Sequence, residues 1–110
     1  MLSIPAQTRL FLYQHPISMR KSFEGLSAAV EQSFPGEILS GALFIFLNKR
    51  KDHIKVLFWD GDGFAIYFKR LEQGTYLWKG KTAAIDRKTF LMLLEGVVPK
   101  RIQKRFSIEN

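Results

Sequence analysis

Cysteine is absent from the 110 residues, which excludes disulfides and thiolate-held metals and suits a reducing, cytoplasmic compartment. Histidine occurs twice, as His15 beside Pro16 and as His53 in a basic stretch. Few bases are therefore at hand to activate a nucleophile, and no serine has the glycine-flanked setting of a nucleophile elbow. The phosphate-cradling strings Gly-x-x-x-x-Gly-Lys-Ser/Thr and Gly-x-Gly-x-x-Gly do not occur, so neither nucleotide chemistry nor a cofactor is expected. No apolar run approaches the roughly 18 residues of a membrane span. The N-terminus lacks the basic-then-apolar order of a signal peptide. A cytoplasmic, soluble protein without membrane contact is the expectation.

Acids are also few: ten Asp and Glu face 17 Lys and Arg, for a formal charge of +7. Such an excess speaks to polyanionic partners rather than to fold. Nucleic acid outranks a membrane surface because the cations fall between strands and after helices, not along one basic amphipathic helix. What is abundant is aromatic: ten Phe, three Tyr and two Trp within a 46% hydrophobic chain. That is enough apolar surface for one core, and the length fits one domain. The expected organisation is a single α+β domain over residues 1–98, followed by a basic tail over 99–110 with Lys100, Arg101, Lys104 and Arg105.

Periodicity places the elements. Thr8 to Tyr13 predicts a first strand, ended where Pro16 restricts the backbone. Met19, Phe23, Leu26 and Val30 recur at helical spacing, with Ser18 as the expected N-cap and Pro35-Gly36 as the stop. From Gly41 the pattern becomes extended, in segments 41–47, 54–60, 64–70 and 75–78. They predict an antiparallel β-meander of about four or five strands with two flanking helices. Asp60-Gly61-Asp62-Gly63 has the residues of a tight hairpin turn. Both strand faces are apolar, so one needs a helical cover, and the other is either covered by remaining chain or left as an aromatic docking surface. A last helix starts at an Asp86 cap, with Ile85 and Phe90 spaced as a hydrophobic staple and Gly96 past its end.

Chemistry needs converging groups, and acids offer the first candidates. Asp60 and Asp62, joined by Glu72 or Glu95, have the residue types of a divalent-metal nuclease. An Asp-Gly-Asp-Gly tip is instead what turn geometry asks for, and that reading outweighs metal binding, so no catalytic or metal site is assigned. Cations form a better pattern. Arg50, Lys51 and Lys55 lie between and along two strands, Lys69 and Arg70 end a third, and Arg20 and Lys21 stand at a helix start, as do Arg87 and Lys88. Cations at a helix start oppose its dipole, a placement that makes sense beside a bound phosphate. The first seven are the expected nucleic-acid contacts, with Trp59 and Trp78 as core residues or stacking platforms.

At these residues the chain resembles a known family. The ordered motifs are Met19-Arg20-Lys21-Ser22-Phe23-Glu24-Gly25-Leu26; Gly41-x-Leu43-Phe44-x-Phe46; Arg50-Lys51-Asp52-x-x-Lys55-Val56-Leu57-x-Trp59-Asp60-Gly61-x-Gly63; and Lys69-Arg70-Leu71-Glu72-x-Gly74-x-Tyr76-x-Trp78. They resemble the TnpB accessory proteins of bacterial insertion sequences of the insertion-sequence-sixty-six type, over roughly residues 3–96. The resemblance implies a non-catalytic protein required for transposition, whose partners are DNA, a separate transposase that holds the catalytic acids, and the element's other accessory proteins. Ser18 and Lys79 depart from the family pattern, which usually has Asp and Pro there. The alternative implied function is an adaptor that docks the transposase through an aromatic sheet face.

Overall fold

The computed structural model describes residues 4–76 and 84–94. Its elements are β1 (Leu10–Leu12), α1 (Phe23–Ser33), β2 (Leu43–Leu47), β3 (His53–Trp59), β4 (Phe64–Arg70), β5 (Ala84–Ile85) and α2 (Arg87–Leu94). The strands form one open sheet in the order β4-β3-β2-β1-β5. This is the α+β architecture that the periodicity predicts. The β2-β3-β4 part is an antiparallel meander, with Phe44 opposite Leu57 and Leu57 opposite Ile66. Gly61, at φ 86°, supplies the left-handed residue of the β3–β4 turn, closed by Asp60 N–H donating to the Gly63 carbonyl at 2.8 Å.

Alternation along the strands divides the core in two. On one face Phe44, Phe46 and Leu57 pack with Ile17, Leu26, Ala29 and Val30, so α1 is the cover. On the other, Leu43, Ile45, Leu47, Ile54 and Val56 pack with Ile4, Tyr76, Phe90 and Leu93, so the cover is chain from α2 and the segment after β4. All five residues of β2 are buried, which explains its unbroken apolar run: a strand covered on both sides has no reason to alternate. The remaining chain, rather than a partner, lies over the second face of the central strands.

Three local expectations are corrected. The β1–α1–β2 unit is parallel, with Leu10 beside Leu43, because the helix returns the chain to the starting end of the sheet. Thr75 and Tyr76 lie outside any strand and the fifth strand is β5, antiparallel to β1; Leu77 and Trp78 are outside the described residues. Ser18 does not cap α1. Its hydroxyl accepts from Arg20 N–H at 3.2 Å and its carbonyl from Lys21 N–H at 3.1 Å, closing a separate turn. The helix starts after Ser22, whose carbonyl accepts from Leu26 N–H. Phe23 is accordingly 44% exposed rather than on the buried stripe. The proposed tail and boundary near residue 98, with Glu95 and Gly96, fall outside the described residues.

The second helix starts as the sequence predicts. Asp86 Oδ1 accepts from Thr89 N–H at 2.7 Å, and the Asp86 carbonyl from Phe90 N–H at 3.0 Å. Bonds from Thr89, side chain first and backbone next, hold the Asp86 carboxyl below its ordinary value of 3.8.

Candidate nucleic-acid interface

The β2–β3 hairpin is a short loop stiffened by one amide. Asn48 Oδ1 accepts from the N–H groups of Asp52 and His53, both at 3.0 Å, while Asn48 Nδ2 donates to Asp52 Oδ1 at 2.7 Å. His53 Nδ1 lies 2.7 Å from the same carboxylate oxygen. Lys51, at φ 59°, is the one non-glycine among the described residues with positive φ. Its N–H reaches the Asn48 carbonyl at 3.0 Å, which turns the chain sharply. With its polar interior closed, the loop leaves Lys49, Arg50 and Lys51 exposed.

The other cations arrive at the same end. Cross-strand register sets His53 opposite Arg70 and Ile54 opposite Lys69, so the last residues of β4 flank the loop. Beyond β1 the chain continues along β2, with Ile17 N–H on the Leu47 carbonyl at 3.0 Å. That delivers the turn carrying Arg20 and Lys21 to this end, across a groove of about 460 Å³ lined by Pro16, Ile17 and Met19 on one side and Asn48, Lys49 and Arg50 on the other. Arg20, Lys21, Arg50, Lys51, Lys69 and Arg70 are all exposed. Among the described residues, Arg70 alone of these six ion-pairs, with Glu72 at 3.0 Å. That pair is solvent-exposed, so it holds Arg70 only weakly. Arg9 is set apart from the group and forms a two-pronged pair with Glu37.

Lys55 differs from its expected role. It is 7% exposed, and its ammonium donates inward to the carbonyls of Met19 at 2.9 Å and Lys21 at 2.8 Å. The ring of Phe68 lies 4.8 Å from the charge. Strand alternation explains this, since Lys55 shares the α1 face with Leu57, where the helix has not yet begun and the turn before it supplies carbonyls instead of side chains.

Trp59 is half-buried at the far end of β3, its ring edge-on to Phe64 at 5.1 Å, so it does not join the cations. Trp78 lies outside the described residues. The exposed aromatic at the basic end is Phe68, 52% exposed; its alternation with Tyr67 and Lys69 in a two-sided strand was the only sequence signal for it. Asp60 and Asp62 occupy the opposite hairpin, roughly 20 Å away along seven-residue β3, whereas Glu72 sits beside Arg70. No three His, Asp or Glu side chains converge among the described residues. His15 is exposed, edge-on to Tyr13. Arg87 and Lys88 do occupy the first turn of α2, while Arg20 and Lys21 stand just before the Ser22 N-cap of α1 rather than in its first turn.

The hairpin also has a titrating element. Bonds from Asn48, then from His53, hold the Asp52 carboxyl below the ordinary 3.8, against a smaller opposing effect of burial. A carboxylate with a depressed folded pKa stabilises the fold above the unfolded value, and that contribution is lost as pH falls through the folded pKa. Urea midpoints are therefore expected to decline below pH 3.8, in the window set by Asp52 and Asp86. Asp52→Asn with Asp86→Asn should flatten that decline; an unchanged acid slope in the double variant would refute the assignment.

The family model for IS66 Orf2-like protein matches residues 8–104. Two proteins of Sinorhizobium fredii are similar over most of their length. The uncharacterized protein y4jC is 26% identical over 100 residues, covering 88% of this chain and 86% of its own. The uncharacterized protein y4hO is 29% identical over 100 residues, covering 88% and 87%. No solved structure matches the chain. No helix among the described residues is long and apolar enough to cross a membrane. With the family match spanning nearly all of the fold and every motif of the basic end, the chain belongs to the IS66 Orf2-like proteins, accessory proteins of transposition by insertion sequences of that type.

Proposed function

We propose that the protein serves transposition by holding duplex DNA through phosphate contacts at the basic end of its sheet. The contacts are Arg20, Lys21, Arg50, Lys51, Lys69 and Arg70. The observation that carries this reading is their convergence: three separate chain segments bring exposed cations to one end, while Asp60 and Asp62 lie at the other. Lys55 is left out because its charge is turned inward. Phosphate contacts orient a protein on the duplex without reading sequence, so the expected binding has little base preference.

Cations that displace condensed counterions give affinity a steep salt dependence. With about five of them on phosphates at once, log affinity against log salt should have a slope near −4.5 for B-form DNA. Fluorescence anisotropy with a labelled duplex between about 50 and 200 mM NaCl measures it. Binding that is absent at low salt, or indifferent to salt, defeats the proposal. The adaptor reading has less support, since both faces of the central strands are covered from within and the exposed large apolar residues Phe23, Leu39 and Phe68 lie on separate segments, in α1, in the turn before β2 and in β4.

A further inference from the structure

We infer that Lys55 is a positioning residue: an internal strut whose ammonium holds the turn before α1 so that Arg20 and Lys21 face the DNA. The inference rests on the DNA-binding reading above. A lysine is rarely buried without an acidic partner. Here no carboxylate among the described residues pairs with it; the three donors of the ammonium go to the Met19 carbonyl, the Lys21 carbonyl and the face of Phe68. Stability alone is a poor reason for a buried cation, because a well-packed hydrophobic side chain of similar volume often serves a core as well. What only a multi-donor head can do is gather two carbonyls, two residues apart, onto one point.

That geometry constrains the residues between and around them. The segment from Ser18 to Ser22 precedes the helix and has few bonds of its own: Arg20 N–H to the Ser18 hydroxyl and Lys21 N–H to the Ser18 carbonyl. With the Met19 and Lys21 carbonyls drawn toward the sheet, the side chains of Arg20 and Lys21 stay exposed on its outer side. The strut is anchored on β3, two residues beyond the loop-end position His53, so it ties the outlying pair of cations to the strand that carries the loop cations. It sets the spacing between the two groups.

The test combines a DNA-free readout with a binding readout. In the unaltered protein, the Lys55 ammonium should give a protected nitrogen-15 signal with through-hydrogen-bond coupling to the carbonyl carbons of Met19 and Lys21. A signal exchanging as fast as those of Lys49 and Lys51 overturns the strut whatever the protein binds. In Lys55→Met, hydrogen exchange at the Arg20 and Lys21 amides should rise roughly tenfold or more, and unchanged exchange also overturns it. With the labelled duplex, Lys55→Met should make the salt slope shallower by about 1.8, the value of two lost contacts. Arg20→Ala with Lys21→Ala should do the same, and the triple variant should show no further change. A wild-type slope in Lys55→Met, or a further loss of about 0.9 in the triple variant, which would mark Lys55 as a direct contact, overturns the inference. If the unaltered protein shows no salt-dependent binding, the DNA reading fails by itself, and the ammonium and exchange measurements still decide whether the strut exists.

Discussion

Removing Arg20, Lys21, Arg50 and Lys51 together is expected to abolish most duplex binding while leaving the protein folded. Four contacts at about 0.9 each take roughly 3.6 from the magnitude of the salt slope, leaving a value near −0.9. At about 0.1 M salt, relative to 1 M, the same arithmetic corresponds to roughly three and a half orders of magnitude in affinity. The substitutions are chosen from the geometry. Lys51 adopts φ 59°, so Lys51→Gly removes charge without straining the turn, whereas alanine would meet the same left-handed penalty as lysine. Arg20, Lys21 and Arg50 are exposed, and alanine there leaves the core untouched. Arg87→Ala with Lys88→Ala, at the start of α2, removes charge outside the proposed interface and should cost far less. Equal losses from the two sets would mean that total charge, not its placement, governs binding.

A second large effect is expected in the core. Phe44 is fully buried and meets Phe11 at 5.7 Å and Phe34 at 5.8 Å, while Phe11 and Phe34 lie 4.9 Å apart. These rings join β1, β2 and the end of α1, the one parallel unit of the sheet. Phe44→Ala should destabilise the fold by about 3–5 kcal/mol, because the rigid surroundings cannot close the space a ring leaves. Against a total of about 5–15 kcal/mol this is a large share, visible as a fall of roughly 15 °C or more in melting temperature. Phe23→Ala, at a 44% exposed ring, should shift the midpoint little. Comparable losses at the two positions would contradict the burial that defines this core. Phe44 also lies on the α1 face with Leu57, two residues along β3 from Lys55, so its loss should loosen the helix that follows the basic turn.

How much was legible beforehand differs by element. The strands β2, β3 and β4 and the turn between the last two were readable because extended apolar runs and the Asp-Gly pairs around Gly61 act locally, whereas the strand expected over 75–78 is absent at Thr75 and Tyr76. The cap at Asp86 was readable for the same reason: a capping carboxylate needs only residues three and four ahead of it. The start of α1 was misread since Ser18 is a sound cap by composition, and what displaces the helix is an ammonium from a strand 36 residues on in sequence, bonded to the Met19 carbonyl. Trp59 looked like a partner for the loop cations because it follows them in sequence; a strand carries it to the opposite end of the sheet.

The sequence by itself determined the α+β class, the meander, the absence of thiol chemistry and the excess of positive charge, all properties of composition or of neighbours a few residues apart. Only the tertiary structure decided which cations stand together, that β1 runs parallel to β2, and that Lys55 faces inward. Those outcomes depend on strand order and register, which bring Leu47, Ile54 and Lys69 side by side across the sheet. Such pairings are selected by burying both faces of the sheet at once, a condition that no local segment can express.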